Sequence, residues 1–323
     1  MIFLLSDGAI NQNNFPYYKT LYKNVTNPNG CQAQGTFFLL HDYMNYHDVM
    51  ELRHLGHEMA VSSIRKVTEA GEVFVTKLHF SDDKNLYLKN YTAWTEELAG
   101  MRRIMMLQAE VPEEDVLGAR APGLKPGYNT QYEVMVDFGF IWDSSVSVPP
   151  QSRPVWPYTL DFAIPHKCKE KSCPTRQFPG MWEIPLNSHY VEGYVGGHCP
   201  YLDQCVFTHM DRADILAWLQ EDFTRHYETN RAPYTLTLHT NWFTTLEQRQ
   251  ALADWLDWVQ TKDGVYFVTA TQALLWMTDP TPINRLADFE AWQCDNKPVR
   301  SDNVLNVLAD LPISVPTPGL QFP

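Results

Sequence analysis

Five side chains able to do chemistry fall at the ends of predicted strands. Asp7 follows the apolar run 2–5, Ser62 follows 58–61, Arg120 follows 116–119, Asp143 lies at the end of 140–144, and His239 closes 234–239. A carboxylate, a guanidinium and an imidazole held together can move protons and steady developing charge. Where short strands alternate with helices, functional groups gather at the carboxyl ends of the strands. The five positions therefore predict one shared site, although they come from opposite ends of the chain. Asp143 has two open readings, an orienting partner of His239 or Arg120, or a strand-end cap.

The elements that must position these groups are legible in the hydrophobic pattern. Strands are expected at 2–5, 35–40, 58–61, 116–119, 140–144, 234–239 and 265–268. Helices are expected at 15–22, 46–55, 91–108, 212–228, 246–260 and 271–277. The helix over 91–108 places Trp94, Leu98, Met101, Ile104 and Met105 on one face. Such alternation means an α/β fold with a mainly parallel sheet or barrel. Residues 147–207, crowded with Pro, Gly and Cys, are expected to form loops over that scaffold. The segment 298–323 reads as a Pro-rich tail flanking a domain of residues 1–297.

The chain has 323 residues, enough for a large core, and 25 Lys and Arg against 38 Asp and Glu give a net charge of −13. That balance argues against nucleic acid and against an anionic membrane surface as partners. It suits a neutral or cationic one. Six cysteines, at 31, 168, 173, 199, 205 and 294, include no Cys-x-x-Cys pair. Cys168 with Cys173 and Cys199 with Cys205 would close short loops, leaving Cys31 and Cys294 as a long-range staple. Other pairings and zinc binding stay open. The even count favours disulfides. With the sequons at Asn24 and Asn90 it favours an extracellular protein. No export signal and no membrane-spanning run is read from the sequence.

Several segments resemble insect chitin deacetylases of the polysaccharide deacetylase (NodB-like, carbohydrate esterase 4) family. They include Ser6-Asp7-Gly8-Ala9-Ile10-Asn11, Gly35-Thr36-Phe37-Phe38, Gly56-His57-Glu58-Met59-Ala60-Val61, Gly118-Ala119-Arg120-Ala121-Pro122, Trp156-Pro157-Tyr158-Thr159 and Arg225-His226-Tyr227-Glu228. The likeness runs from residue 1 to about residue 295. It implies a distorted (β/α) barrel, secretion, a divalent metal, usually zinc, and removal of N-acetyl groups from chitin.

The resemblance also assigns roles. The family's first motif, Thr-Phe-Asp-Asp, is Leu5-Ser6-Asp7-Gly8 here, which keeps the base position at Asp7 and replaces a metal ligand by Gly8. The second, His-Ser-x-x-His, sets two imidazoles four residues apart on one ion. Here those places hold Ser62 and Lys66. The third, Arg-x-Pro-Tyr, is Arg120-Ala121-Pro122-Gly123, with Arg120 orienting the base and the Gly123 N–H available to an oxyanion. His239 matches the general acid. Zinc lowers the pKa of its bound water from about 15.7 to about 7, whereas a carboxylate alone is a weak base for free water. No cofactor is therefore expected, and zinc only if other residues rebuild the site. His41, His47, His54, His57 and His79 are candidates for that, though they read as surface or packing residues. The Lys66 ammonium either neutralises Asp7 or points into solvent. Trp156, Tyr158, Trp182 and Trp242 are candidates to stack on sugar rings, each with a competing reading as core.

The expectation is thus a monomeric, secreted protein of a chitin-containing extracellular matrix that binds chitin or chito-oligosaccharide and has lost most or all deacetylase activity. The alternative is an active chitin deacetylase with Asp7 as base and His239 as acid.

Overall fold

The computed structural model describes residues 1–64, 90–168, 171–191, 197–205 and 210–294. Lys66, His79 and the 298–323 tail lie outside the described residues. The run Ile2-Phe3-Leu4-Leu5 has no polar side and forms the interior strand β1 (Ile2–Gly8), as suits a parallel strand covered on both faces. Its neighbours are β2 (Thr36–Leu40), β3 (Glu58–Ser63) and β12 (Tyr234–Leu238). Short two-residue strands continue the sheet as β4 (Gly118–Ala119), β5 (Trp142–Asp143), β7 (Tyr158–Thr159) and β8 (Trp182–Glu183). The order is β12-β1-β2-β3-β4-β5-β8-β7, parallel except for β7 against β8. This sheet curls into an eight-stranded half-barrel. The expected distorted barrel is therefore an open one.

Alternation along the strands sorts the core into two layers. Ile2, Leu4, Phe37, Leu39, Met59 and Val61 face helices α1 (Phe15–Lys23), α2 (Tyr46–His54), α3 (Tyr91–Ala109), α5 (Arg212–Tyr227) and α6 (Leu246–Val259). Phe3, Leu5, Phe38 and Ala60 face the other way, against Trp142, Trp182 and helix α7 (Ala270–Thr278). Each strand thus leaves its polar carboxyl end at the rim.

Several elements differ from expectation for physical reasons. The 265–268 strand is reduced to a single bridge between Ile2 and Phe267, with Ile2 N–H donating to Tyr266 O at 2.8 Å. Helix α4 (Tyr128–Asp137) was not expected, since its sequence is mostly polar and its buried residues Gln131, Tyr132, Val134 and Met135 include only two aliphatic ones. The 147–207 stretch holds more than loops: β7 and β8 complete the main sheet. It also carries β6 (Ser147–Val148) paired with β9 (Leu186–Asn187), and β10 (His189–Tyr190) paired with β11 (His198–Cys199). Two-residue strands are too short for periodicity to reveal. The disulfides are Cys31–Cys294, Cys168–Cys173 and Cys199–Cys205.

Candidate functional site

Parallel strands point their carboxyl ends the same way, so β1, β3, β4 and β12 deliver Asp7, Ser62, Arg120 and His239 to one end of the sheet. A cleft of about 510 Å³ opens there, and Asp7, Gly8, Ser62, Gly123, Tyr201, Asp203 and His239 are among its lining residues. Arg120 lies fully buried beneath it. Its Nε donates to Ser144 O at 2.8 Å and its Nη2 to Ser144 Oγ at 2.9 Å. The guanidinium carbon sits 3.7 Å from the centroid of the Phe38 ring. These contacts aim the remaining nitrogen, Nη1, at Asp7 Oδ2, 3.6 Å away.

The same Asp7 oxygen accepts a 2.7 Å hydrogen bond from the Tyr201 hydroxyl. Burial and the Asp7 charge push the Tyr201 phenol well above its ordinary range, so it stays a donor. Two residues on, Asp203 holds His239 at two points. The His239 backbone N–H donates to Oδ1 at 2.9 Å and Nδ1 donates to Oδ2 at 2.9 Å. Burial alone would lower the His239 pKa, but the hydrogen bond and charge of Asp203 reverse that and raise it. Burial likewise works against the Asp203 carboxylate, and His239 more than compensates, holding it below its ordinary value. The Tyr201 and His239 rings lie against each other with centroids 4.2 Å apart. With Nδ1 committed to Asp203, Nε2 is the ring nitrogen left to exchange a proton.

Tyr201 and Asp203 were not foreseen. They sit between Cys199 and Cys205 on a loop that the disulfide closes. The legible signal was a Tyr and an Asp inside a short Cys-to-Cys span.

Other expected residues lie elsewhere. Asp143 orients neither His239 nor Arg120. It is fully buried and accepts from Gln131 Nε2 and Ser145 Oγ, both at 2.7 Å. Trp242 is completely buried in the core and Trp182 packs with Phe38 and Trp142. Trp156 lines a separate, mostly apolar pocket of about 210 Å³ near Met1 and Tyr234, stacked on Trp276, with its Nε1 donating to Asn230 O. Tyr158 is bonded to His166 Nε2 at 2.9 Å and packs against the core. The cleft lining includes none of these four aromatic residues. A ring in a Pro-rich segment satisfies packing as readily as ligand stacking, so its type alone could not place it.

The zinc that the resemblance implies finds no donor set among the described residues. Gly8 offers no side chain and Ser62 only a hydroxyl, a poor ligand beside carboxylate or imidazole. The histidines do not converge: His41 pairs with Tyr46 OH, His47 lies 3.7 Å from Glu51, and His54 is exposed. His57 accepts from Gly35 N–H inside the core, where burial depresses its pKa to about 3. No group of three or more His, Cys, Asp or Glu side chains among the described residues could hold a metal ion.

No family model matches the chain. It is 34% identical over 308 residues to Chitin deacetylase 1 of Bombyx mori, covering 91% of this chain and 53% of that protein, so it spans about half of that relative's length. It is 30% identical over 294 residues to Chitin deacetylase 8 of Bombyx mori, covering 89% of this chain and 72% of the relative. In fold it is similar to a putative polysaccharide deacetylase from Mycobacterium smegmatis, with a TM-score of 0.51, 17% identity, and coverage of 81% of this chain and 76% of that one. With both curated relatives matched along nine-tenths of its residues, the chain belongs to the chitin deacetylase family and has the polysaccharide deacetylase fold.

Proposed function

We propose that this chain binds chitin or chito-oligosaccharide in the Asp7 cleft and has lost most or all of the family's deacetylase activity. The observation that carries this is the backbone at Gly8. Its φ is +127°, which side-chain-bearing residues rarely adopt, although no atom lies within 4 Å of a built Cβ. The strand end has space for a ligand carboxylate but is set in a glycine conformation. Ser62, at the other end of the ligand pair, lacks the chemistry to compensate. What remains is an acid–base frame, Asp7 with Arg120 and Tyr201, and His239 with Asp203, set in a cleft whose amide and hydroxyl side chains suit a hydroxyl-rich neutral ligand. Three disulfides and exposed sequon residues Asn24 and Asn90 support a glycosylated, secreted protein of a chitin-containing extracellular matrix.

The test is acetate release from acetylated chito-oligosaccharides by the disulfide-intact protein, with zinc, with cobalt and with chelator, beside retention on chitin beads. Retention without release in any condition is expected. Metal-dependent release would overturn the loss of activity and favour an active deacetylase, for which the paired Asp7 base and His239 acid already supply the proton-transfer groups.

A further inference from the structure

The cleft rim carries one large side chain that packing does not account for. Tyr43 lines the cleft and is 79% exposed, more than any other large hydrophobic side chain among the described residues. Its backbone is held in the left-handed region at φ +67°, where bulky residues are rare. The turn around it is tied to the segment that follows β1 and to the end of β3. Asn11 Nδ2 donates to Tyr43 O at 3.3 Å, Asn45 N–H to Ile10 O at 2.7 Å, Met44 N–H to His41 O at 3.1 Å, and His41 N–H to Ser63 O at 3.1 Å. A turn chosen for its backbone alone would carry Gly, Asn or Asp at such a position. Here a firmly anchored, unfavourable backbone presents an aromatic face to solvent, beside the cleft.

The same cleft is lined by side chains that bond hydroxyl and amide groups, among them Lys125, Gln204 and Asn241. A flat apolar face flanked by polar groups matches a pyranose ring, which has an apolar C–H face and a hydroxyl edge. The net charge of −13 disfavours a polyanion.

We propose that Tyr43 is the stacking platform of a rim subsite for an N-acetylglucosamine ring of a chito-oligosaccharide. This rests on the reading that the cleft binds such oligomers, and it locates the aromatic contact away from Trp156, Tyr158 and Trp242.

The test is calorimetric titration of fully N-acetylated chitopentaose into wild type, Tyr43→Gly, Tyr43→Phe and Tyr43→Trp. Glycine removes the ring while accepting the left-handed backbone, so the turn itself should survive, with an unchanged or raised melting temperature as the check. Tyr43→Gly is expected to lose about tenfold in affinity. Phe and Trp should stay within about threefold of wild type, since each keeps an aromatic face. Wild type binding with Tyr43→Gly unchanged would overturn the platform and leave the cleft reading standing. Wild type failing to bind chitopentaose would overturn both.

Discussion

At the mouth of the sheet Asp203 faces the imidazole of His239; deeper in, Asp143 on β5 and Glu183 on β8 sit opposite each other across paired parallel strands. All three carboxyl groups are shielded from water, with the Asp203 side chain 8% exposed and Asp143 and Glu183 at 0%, while the His239 side chain is 35% exposed. Their charge states nevertheless diverge. Asp203 is held below its ordinary pKa because the hydrogen bond and then the charge of His239 outweigh its burial. Asp143 and Glu183 are both raised, by burial first and, for Glu183, by the charge of Asp143 next. Tyr132 OH reaches both, donating to Asp143 Oδ2 at 3.1 Å and lying 3.5 Å from Glu183 Oε2. Burial penalises a carboxylate everywhere, and the partner decides whether that penalty is overcome. The mouth pairs acidic with basic groups; the interior sets two buried carboxyl groups side by side, joined through the Tyr132 hydroxyl.

The sharpest way to break this contrast is to make the mouth resemble the interior. Arg120→Met removes the buried cation beneath Asp7 and should cost about 3–5 kcal/mol in urea denaturation at neutral pH. A loss below about 1 kcal/mol would mean that Asp7 needs no countercharge. Next in size, replacing both Cys199 and Cys205 by Ala opens the loop that carries Tyr201 and Asp203. Stability should fall by about 2 kcal/mol. The His239 titration, followed by NMR, should move toward that of a free imidazole. An unmoved His239 would show that the loop holds its shape without the disulfide.

Asp203→Asn tests the pair itself. His239 has a raised folded pKa, so its contribution is full below about 6.5 and is lost as pH rises through the folded value. Asp203 has a lowered folded pKa, so its contribution is full above about 3.9 and is lost as pH falls through the folded value. The stability difference between wild type and Asp203→Asn should therefore peak in mildly acidic solution and shrink on both sides. A difference independent of pH would rule out an ion pair. The smallest effect is expected from Glu183→Gln, whose amide donates to Asp143 as a protonated Glu would. Raised carboxyl pKa values mean stability that is full below about 4 and declines as pH rises through the folded values. The variant should match wild type in acid and unfold less readily than wild type above neutrality.

Much of this was legible in the residues. The run at Ile2 to Leu5 could be little but a buried strand, and Asp7, Arg120 and His239 followed predicted strands whose parallel arrangement brings their ends together. Tyr201 and Asp203 escaped because they occupy an irregular, Cys-bounded stretch where no period applies. The aromatic residues were illegible for another reason. Trp156 and Trp242 have the right chemistry for a sugar, but type says nothing about which side of the sheet a ring faces. Tyr43 gave no signal at all, since exposure and a left-handed backbone are properties of a folded turn.

By itself the sequence determined the alternating strands and helices, the fold class they imply, and which groups stand at the strand ends, because those depend on local pattern and spacing. Only the tertiary structure decided that Asp203 belongs to His239 while Asp143 belongs to Glu183, and that Tyr201 caps Asp7. Those pairings join residues far apart in the chain. The ionisation of each group is set by the charge, donors and water that folding places around it.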